Sequence, residues 1–130
     1  MVHAVQGDAP YRVEITAAGH PITADEAEAL GGGATAPGPF DLVVAGLAAC
    51  TLITLRMYAA RKGWAGVTIA ADLRHRVADG AHIIDRRVHV TGAPDAAAIA
   101  RLADIVERTP VTLALRSGFT ISTELTPTAA

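Results

Sequence analysis

Apolar and polar residues alternate regularly near the start of the chain. In the segment YRVEIT, residues 11–16, every second side chain is apolar, which is the period of a half-buried strand. Gly19 allows a turn, and the segment HPITA, residues 20–24, is predicted to form a second short strand. Residues 29–39 contain four glycines and two prolines, and this composition predicts a loop. Such a loop is typical both of functional segments and of plain connectors.

A long apolar segment follows this loop and predicts one helix of about 23 residues, from Pro39 to just before Gly63. Proline fits the first helical position, and glycine can end a helix in the left-handed conformation. Asp41 in the first turn, with basic residues toward the end, suits the helix dipole. Because the middle of this helix is apolar all round, we expect it to be enclosed on every side. Its longest uncharged run, 42–55, has 14 residues, short of the roughly 18 that span a bilayer, so we interpret it as a buried helix.

Two strands joined by a tight turn are predicted next. The segments 66–77 and 82–92 are connected through Asp79-Gly80, a strong signal for a two-residue hairpin turn. If that turn fixes the register, two opposite-charge pairs lie across the strands and support it. These pairs are Asp72 with Arg87 and Arg74 with Asp85. The other face is mostly apolar and carries Arg86, which either reaches solvent from an edge or points toward the core as a cation.

The last third of the chain predicts a helix and a strand. Residues 94–108 have apolar side chains at helical spacing, so an amphipathic helix is expected to begin at Pro94-Asp95 and to end near Thr109-Pro110. The segment GFTISTEL, residues 118–125, places its apolar side chains on one side of a strand. A chain of 130 residues has the commonest size of one domain, so a single domain over residues 1–130 is expected.

Composition narrows the classes of protein that fit. Hydrophobic residues make up 51% of the chain but aromatic residues only 4%, so small side chains must fill the core, and an oligomer that supplies further burial is favoured. A net charge of -2 gives no basic field for nucleic acid or an anionic membrane. The single cysteine cannot form an internal disulfide, and no signal-peptide pattern is present. The cytoplasm is therefore the expected location.

Histidine is the residue type that first suggests a metal site, because the chain has five. The predicted hairpin register places His75 and His89 on different faces, so these two cannot share an ion. His20, Asp25 and Glu26 could supply ligands, but nothing has the spacing of a structural zinc or metalloprotease site. The glycine-rich loop lacks the Lys-Ser/Thr pair of a phosphate-binding loop. We therefore expect neither a metal nor another cofactor.

Cys50 lies in LAACTLITLRM, residues 47–57, the most apolar part of the chain. It is either a nucleophile or a small side chain that fills the core, where free cysteine is common. A reactive thiolate within an apolar helix requires a nearby cation, and Arg86 is the leading candidate. Gly46, one turn before Cys50, has no side chain to cover the sulfur. That leaves room for a substrate or for close packing of a second backbone.

Several segments, in this order, resemble the OsmC-like (osmotically inducible protein C / organic hydroperoxide resistance) family. They are HPITADE, a following GG, GPFDLVVAGLAACTLITLRMYAARKGW, HIIDRR and IVERTPV. The helix motif from Asp41 to Trp64 is long and specific, and the similarity covers most of the chain. It is closest to the branch whose members carry a histidine and an ADE-type segment, here His20 and residues 24–26, before the central helix.

The resemblance implies an α+β fold in which a mainly antiparallel sheet wraps a long buried central helix and a second amphipathic helix. It also implies an intertwined homodimer with active sites at the subunit interface, and a thiol peroxidase that reduces small organic hydroperoxides. Cys50 occupies the position of the family's attacking cysteine, which a second cysteine then resolves as a disulfide that external dithiols reduce. Asp41 and Arg86 are the further catalytic candidates, and Gly46, His20 and Thr109 are the candidates for contact with substrate.

The chain departs from the family pattern where the second cysteine is expected. Family members usually read KCPVH there, whereas this chain reads ERTPVT with Thr109 in the cysteine's place. The arginine that peroxidase members supply from the N-terminal region is also absent, because no Arg or Lys lies between Arg12 and Arg56. A glutamate near the helix start is represented by Asp41. Two-cysteine turnover is thereby excluded.

Two hypotheses remain open from the sequence. In the first, Cys50 alone reduces or senses organic hydroperoxides, and an external thiol is the reductant. In the second, the protein is a noncatalytic dimer that binds a small apolar ligand at its interface, and Cys50 is merely packed.

Overall fold

A computed structural model describes residues 1–129 of the protein. Within these residues the chain forms five strands, three α-helices and one short 3-10 helix. In chain order the strands and α-helices are β1 (Val2–Gln6), β2 (Val13–Ala17), β3 (His20–Ala24), α1 (Pro39–Arg61), β4 (Thr68–Ala78), β5 (Ala81–Thr91), α2 (Ala96–Val106) and α3 (Pro110–Ser117). The fold is α+β with antiparallel strands, as expected.

The chain divides into two compact units. The first unit consists of Met1–Ala49 and Ala70–His89. The second consists of Cys50–Ile69 and the residues from Val90 onward. The long helix α1 and the strands β4 and β5 each contribute residues to both units.

The first unit contains a three-stranded antiparallel sheet in the order β1-β2-β3. Ile15 of β2 lies opposite Ala4 of β1 on one side and Ile22 of β3 on the other. This confirms the two strands predicted around Gly19, although β2 begins at Val13. The pattern did not predict β1, because the five residues of VHAVQ are all exposed and their polarity does not alternate strictly.

The carboxylate of Asp25 organises the glycine-rich segment that follows β3. The residue is only 2% exposed, and its carboxylate accepts hydrogen bonds from the backbone N–H groups of Glu26 (2.7 Å), Gly33 (3.4 Å) and Thr35 (3.1 Å). It also accepts one from the Thr35 hydroxyl at 2.6 Å. These bonds, above all that from the Thr35 hydroxyl, lower the pKa of Asp25 to about 2. The predicted loop is therefore a tightly bonded turn.

Acid is expected to loosen this turn. The pKa of Asp25 is about 2 in the folded chain against an ordinary value of 3.8, so its contribution to stability is complete above about pH 4 and is lost as the pH falls toward 2. Asp25→Asn turns a nitrogen donor toward N–H groups that need acceptors, and should lower the melting temperature at pH 7 while weakening the acid dependence below pH 4. Melting curves at pH 7 and 3 measure both effects. Exposed Asp8 provides the control variant Asp8→Asn, and equal melting temperatures for the two variants at pH 7 would contradict the assignment.

Helix α1 begins at Pro39 and ends at Arg61, with Gly63 in the left-handed region at a φ of 73°. Both predicted ends are confirmed. Burial along the helix is uneven, however: some apolar side chains are buried and others are open to solvent. The buried ones are Leu47, Leu55 and Ala59, and the exposed ones are Phe40, Val43, Ile53 and Met57. The expected enclosure on every side is therefore not found within one chain.

By length and composition alone, α1 could also cross a membrane. The core helix of a soluble protein meets the same criterion, so this property does not distinguish the two kinds of helix.

The β4–β5 hairpin turns at Asp79 and Gly80, whose φ angles are 51° and 78°. Two consecutive positive φ angles define the turn type that suits a two-residue hairpin, so the predicted turn is confirmed. The charge pairs are only partly as predicted. Arg74 lies 3.7 Å from Asp85, but the shorter contact of Asp85 is with Arg76, at 2.6 Å.

The predicted pairing of Asp72 with Arg87 is wrong. Asp72 instead contacts His89, whose Nε2 lies 2.9 Å from a carboxylate oxygen. Both Asp85 and Asp72 thus prefer partners displaced diagonally from the directly opposite residue. Long side chains reach such diagonal neighbours across a twisted ladder, which a register drawn from opposed positions does not take into account.

The second unit contains α2, as the sequence predicted. Asp95 caps its N-terminus by accepting a hydrogen bond from the Ala98 N–H at 2.8 Å, and Leu102 faces the core. Arg101 donates a hydrogen bond through Nε to the Tyr58 hydroxyl at 3.0 Å. This bond, followed by the Arg101 and Lys62 charges, lowers the pKa of Tyr58. The bond links α2 to the second half of α1 at the surface.

The chain after α2 differs from the sequence prediction. Pro110–Ser117 forms α3, which was not predicted, and residues 118–129 adopt no regular structure. The strand predicted at 118–125 is therefore wrong for the chain as described. Its apolar residues Phe119, Ile121 and Leu125 are exposed, because within residues 1–129 this segment pairs with no strand.

Candidate functional site

Cys50 is half-buried in α1 and belongs to the second unit. Its Sγ lies 3.9 Å from the hydroxyl of Thr54, one turn further along the same helix. The backbone N–H of Val111 donates a hydrogen bond to the same sulfur at 3.5 Å. The sulfur is thus neither freely exposed nor enclosed only by hydrocarbon.

The N-terminus of α3 explains this contact. Thr109 is the N-cap and Pro110 occupies the first turn, and the first N–H groups of a helix have no partner within it. The Val111 N–H is one of these groups, and it finds its acceptor in Cys50 Sγ. The start of α3 thus presents a backbone donor to the sulfur of Cys50.

Two buried threonines anchor the start of α3. Thr109 is 0% exposed and Thr112 is 5% exposed, and their hydroxyl oxygens lie 2.6 Å apart. Thr109, which the resemblance of the sequence places at the family's second-cysteine position, is two residues from Val111, whose N–H donates to Cys50 Sγ. The helix start that Thr109 caps is therefore the one whose Val111 N–H bonds to Cys50.

Removing one of these two buried hydroxyl groups should lower the free energy of unfolding by more than half of what removing both would cost. Thr112→Val leaves the buried Thr109 hydroxyl without this partner, and such a group typically costs about 1–3 kcal/mol. Thr109→Val removes the same hydrogen bond from its other side. The double variant should lose less than the sum of the two single variants, because neither buried hydroxyl is then left behind. Urea unfolding of the four proteins tests this, and strict additivity would contradict it.

The other predicted site residues lie in the first unit. Asp41 is exposed, and its carboxylate accepts a hydrogen bond from the Gly38 N–H at 2.9 Å, as expected for a helix start. His20 is exposed on β3. Gly46 faces open space, since a Cβ there would meet nothing within 4 Å. The close packing considered for Gly46 is therefore not found within this chain.

Arg86 is half-buried on the hairpin. It lines an open groove of about 410 Å³ together with Leu73 and Asp85. Charged side chains of both signs complete this groove: Asp72, Arg74 and Arg87.

Sequence reasoning missed Val111, because its contribution comes from the backbone and not from the side chain. A signal was nevertheless present. Threonine followed by proline is a common pair for an N-cap and first helical position, and Thr109-Pro110 has this form. As secondary structure, the prediction gives these two residues only as the end of α2.

These features define a small α+β protein with a candidate thiol site, in which the half-buried thiol of Cys50 lies against the N-terminus of α3. The chain belongs to the OsmC-like protein family, whose family model matches residues 31–124. This range includes α1, the hairpin, α2 and α3. The resemblance stated from the sequence is thereby confirmed.

Solved structures share the fold at low sequence identity. A protein from Psychrobacter arcticus, described as an osmotic stress induced and detoxification response protein, has a TM-score of 0.73 and 18% identity, covering 86% of this chain and 85% of that one. The organic hydroperoxide resistance protein OsmC from Legionella pneumophila has a TM-score of 0.63 and 24% identity, with 89% and 88% covered. An OsmC-like protein from Mycoplasma pneumoniae has a TM-score of 0.67 and 19% identity, with 89% and 86% covered. The comparison with curated protein sequences finds no match.

Proposed function

We propose that this protein reduces or senses organic hydroperoxides through the single thiol of Cys50. The observation that carries the proposal is the hydrogen bond from the Val111 N–H to Cys50 Sγ at 3.5 Å. Membership of the OsmC-like family supports it, as does the similarity of fold to a protein described as an organic hydroperoxide resistance protein.

The chemistry requires one sulfur and an external thiol. The Cys50 thiolate attacks the distal peroxide oxygen, the O–O bond breaks, and the released alkoxide takes a proton to become the alcohol. Cys50 is left as a sulfenic acid. An external thiol then forms a mixed disulfide with Cys50 and releases water, and a second thiol restores Cys50 as the external disulfide leaves. A reducing cytoplasm, the location we propose, supplies such thiols.

In this proposal, both backbone and side-chain groups assist the reaction of Cys50. The Val111 N–H stabilises negative charge on the sulfur, and Arg86 supplies the cation in the assembled protein. Asp41 acts indirectly, because its carboxylate holds the start of α1 through the hydrogen bond from the Gly38 N–H.

Gly46 and His20 are exposed and are the proposed contacts of the hydroperoxide. Thr109, also considered as a substrate contact, is fully buried and helps instead to anchor the start of α3 through its bond to Thr112.

Loss of the Arg86 charge should slow the reaction of Cys50. Arg86→Met keeps much of the length of the side chain but removes its charge, and we expect the second-order rate with cumene hydroperoxide to fall about tenfold, equivalent to about 1.4 kcal/mol. Arg87→Met, at the exposed neighbouring position, is the matched control. Stopped-flow measurements give the second-order rate for the parent and for both variants. Equal rates for the parent and Arg86→Met would mean that Arg86 has only a structural role.

We further propose that the protein is a homodimer. Ile53 and Met57 of α1 are 55% and 56% exposed in the single chain, and together with Leu52, Arg56 and Ile69 they line a largely apolar groove of about 360 Å³. Exposure of so much apolar surface is unfavourable in water. A second copy of the chain would cover it.

The same groove supports the alternative function, a noncatalytic dimer that binds a small apolar ligand. A groove lined by aliphatic side chains with one charged residue at its border is typical of sites for such ligands. In that case Cys50 would be packed and unreactive.

Turnover separates the two functions. The protein should consume cumene hydroperoxide catalytically when dithiothreitol is the reductant, and Cys50→Ser should reduce the rate to that of dithiothreitol alone. The noncatalytic alternative requires that parent and Cys50→Ser behave identically. A fluorescent apolar probe that binds both proteins equally, with no turnover by either, would favour ligand binding instead.

A further inference from the structure

Thr54 places its hydroxyl group against the sulfur of Cys50. The two residues are four positions apart in α1, so they are neighbours on one face of the helix. Helical side chains tilt toward the N-terminus of their helix, so the side chain of Thr54 reaches back over the turn that contains Cys50. The Thr54 Oγ1 lies 3.9 Å from Cys50 Sγ, in a long hydrogen bond in which either atom can be the donor.

This contact differs from the usual one for a hydroxyl group inside a helix. Serine and threonine in mid-helix often donate to the carbonyl oxygen of the preceding turn. Among the residues that the structure describes, Cys50 Sγ is the only hydrogen-bond partner of the Thr54 hydroxyl. Thr54 is half-buried, so the hydroxyl is partly withdrawn from water and directed at the sulfur.

Two hydrogen-bonding groups from different helices therefore meet at one sulfur. The Val111 N–H approaches Cys50 Sγ from the start of α3 at 3.5 Å, and the Thr54 hydroxyl approaches it from α1 at 3.9 Å. All three residues belong to the second unit. A backbone N–H can only donate, whereas a hydroxyl group can donate or accept. Thr54 can therefore adjust to the protonation state of the sulfur.

We propose that the Thr54 hydroxyl is the side-chain donor that stabilises the thiolate of Cys50. While the sulfur is protonated, its S–H can donate to Thr54 Oγ1. When this proton leaves for water, the hydroxyl turns about its Cβ–Oγ1 bond and donates to the anionic sulfur. Hydrogen bonds to charged groups are stronger than neutral ones, so the contact favours ionisation. The inference rests on the proposed function, because a stabilised thiolate matters for activity only if Cys50 attacks a hydroperoxide.

Thr54→Val tests the donor, because valine keeps the shape of threonine but has no hydroxyl group. With one of the two donors removed, Cys50 should ionise at a pH about one unit higher, which corresponds to a tenfold smaller thiolate fraction at neutral pH. Alkylation by iodoacetamide at a series of pH values measures this profile, because the thiolate is the reacting form and Cys50 is the only cysteine. The rate with cumene hydroperoxide at pH 7 should fall by a similar factor.

Two control variants separate the donor from other effects of the substitution. Thr54→Ser keeps the hydroxyl group without the methyl group and should retain the pH profile of the parent. Thr68→Val makes the same change at an exposed position of β4 in the same unit and should leave the profile unchanged. A purely structural role for Thr54 would lower the melting temperature of Thr54→Val without moving its pH profile.

The role of Thr54 and the peroxide function can fail separately in these measurements. Identical alkylation profiles for the parent and Thr54→Val, or equal shifts for Thr54→Val and Thr54→Ser, overturn the role of Thr54. A shift in Thr54→Val alone, in proteins that do not react with cumene hydroperoxide, would support the donor and contradict the peroxide function.

Discussion

Thr109→Cys should convert the protein into one that forms an internal disulfide when it is treated with organic hydroperoxide. The resemblance of the sequence places Thr109 at the family's second-cysteine position, and Val111, two residues further on, donates its N–H to Cys50 Sγ at 3.5 Å. A disulfide needs Cα atoms roughly 4.4–6.8 Å apart, so the expected result requires residues 50 and 109 to approach within this range. Threonine and cysteine are similar in size, so little repacking is needed at this buried position.

The readout is the number of free thiols per chain. Treatment of Thr109→Cys with cumene hydroperoxide should consume both thiols and give a disulfide that dithiothreitol reduces, whereas the parent should stop at sulfenic acid or overoxidise. Ser117→Cys carries its second thiol at the opposite, exposed end of α3, and should keep that thiol free. If Thr109→Cys stays folded and retains both thiols under peroxide, either Cys50 is not reactive or residue 109 is not its neighbour.

Ile53→Glu should dissociate the proposed dimer. A lone carboxylate buried in an apolar interface costs several kcal/mol, so we expect the dissociation constant to rise on the order of a hundredfold. The site is well suited to this test, because Ile53 is 55% exposed in one chain and its substitution need not disturb the folding of the monomer. Sedimentation in buffer without detergent measures the assembly, and the melting temperature of the parent should also rise with protein concentration.

A matched charge separates assembly from a general effect of added glutamate. Ala103→Glu introduces the same group at an exposed position of α2 and should leave the dimer intact. A parent protein that sediments as a folded monomer at micromolar concentration contradicts the dimer. Precipitation of the parent that only detergent prevents would point instead to the membrane-spanning property that α1 shares with core helices.

Local chemistry made much of the fold predictable. Pro39 and Gly63 carry strong boundary signals for one helix, and Asp79-Gly80 specifies its turn by backbone conformation alone, so the structure agrees at both places. Elements stabilised by distant contacts were not predictable in this way. The strand β1 is exposed along its whole length and exists through its pairing with β2, and the strand predicted at 118–125 finds no partner within residues 1–129.

The same distinction between local residue identity and distant contacts applies to the candidate site. The family motif around Cys50 could be recognised in the sequence, because side-chain identities carry it. The contact from Val111 is made by a backbone N–H, so its only signal in the sequence is the Thr109-Pro110 pair that begins α3. The contact between His75 and His82 was not predicted, because the predicted register compares only directly opposed residues. That register places His75 against Ile84, whereas the observed contact is with the diagonal neighbour His82.

Trapping of the oxidised sulfur tests the central claim most directly. The parent protein is mixed with one equivalent of cumene hydroperoxide in the presence of dimedone, which captures sulfenic acids, and the intact mass and the Cys50 peptide are then measured. We predict a dimedone adduct on Cys50 in most chains. This adduct should form faster than the dimedone adduct of a free thiol, such as glutathione, at the same concentration. An unmodified Cys50 that remains fully titratable in the native protein would contradict a peroxide-reactive thiol.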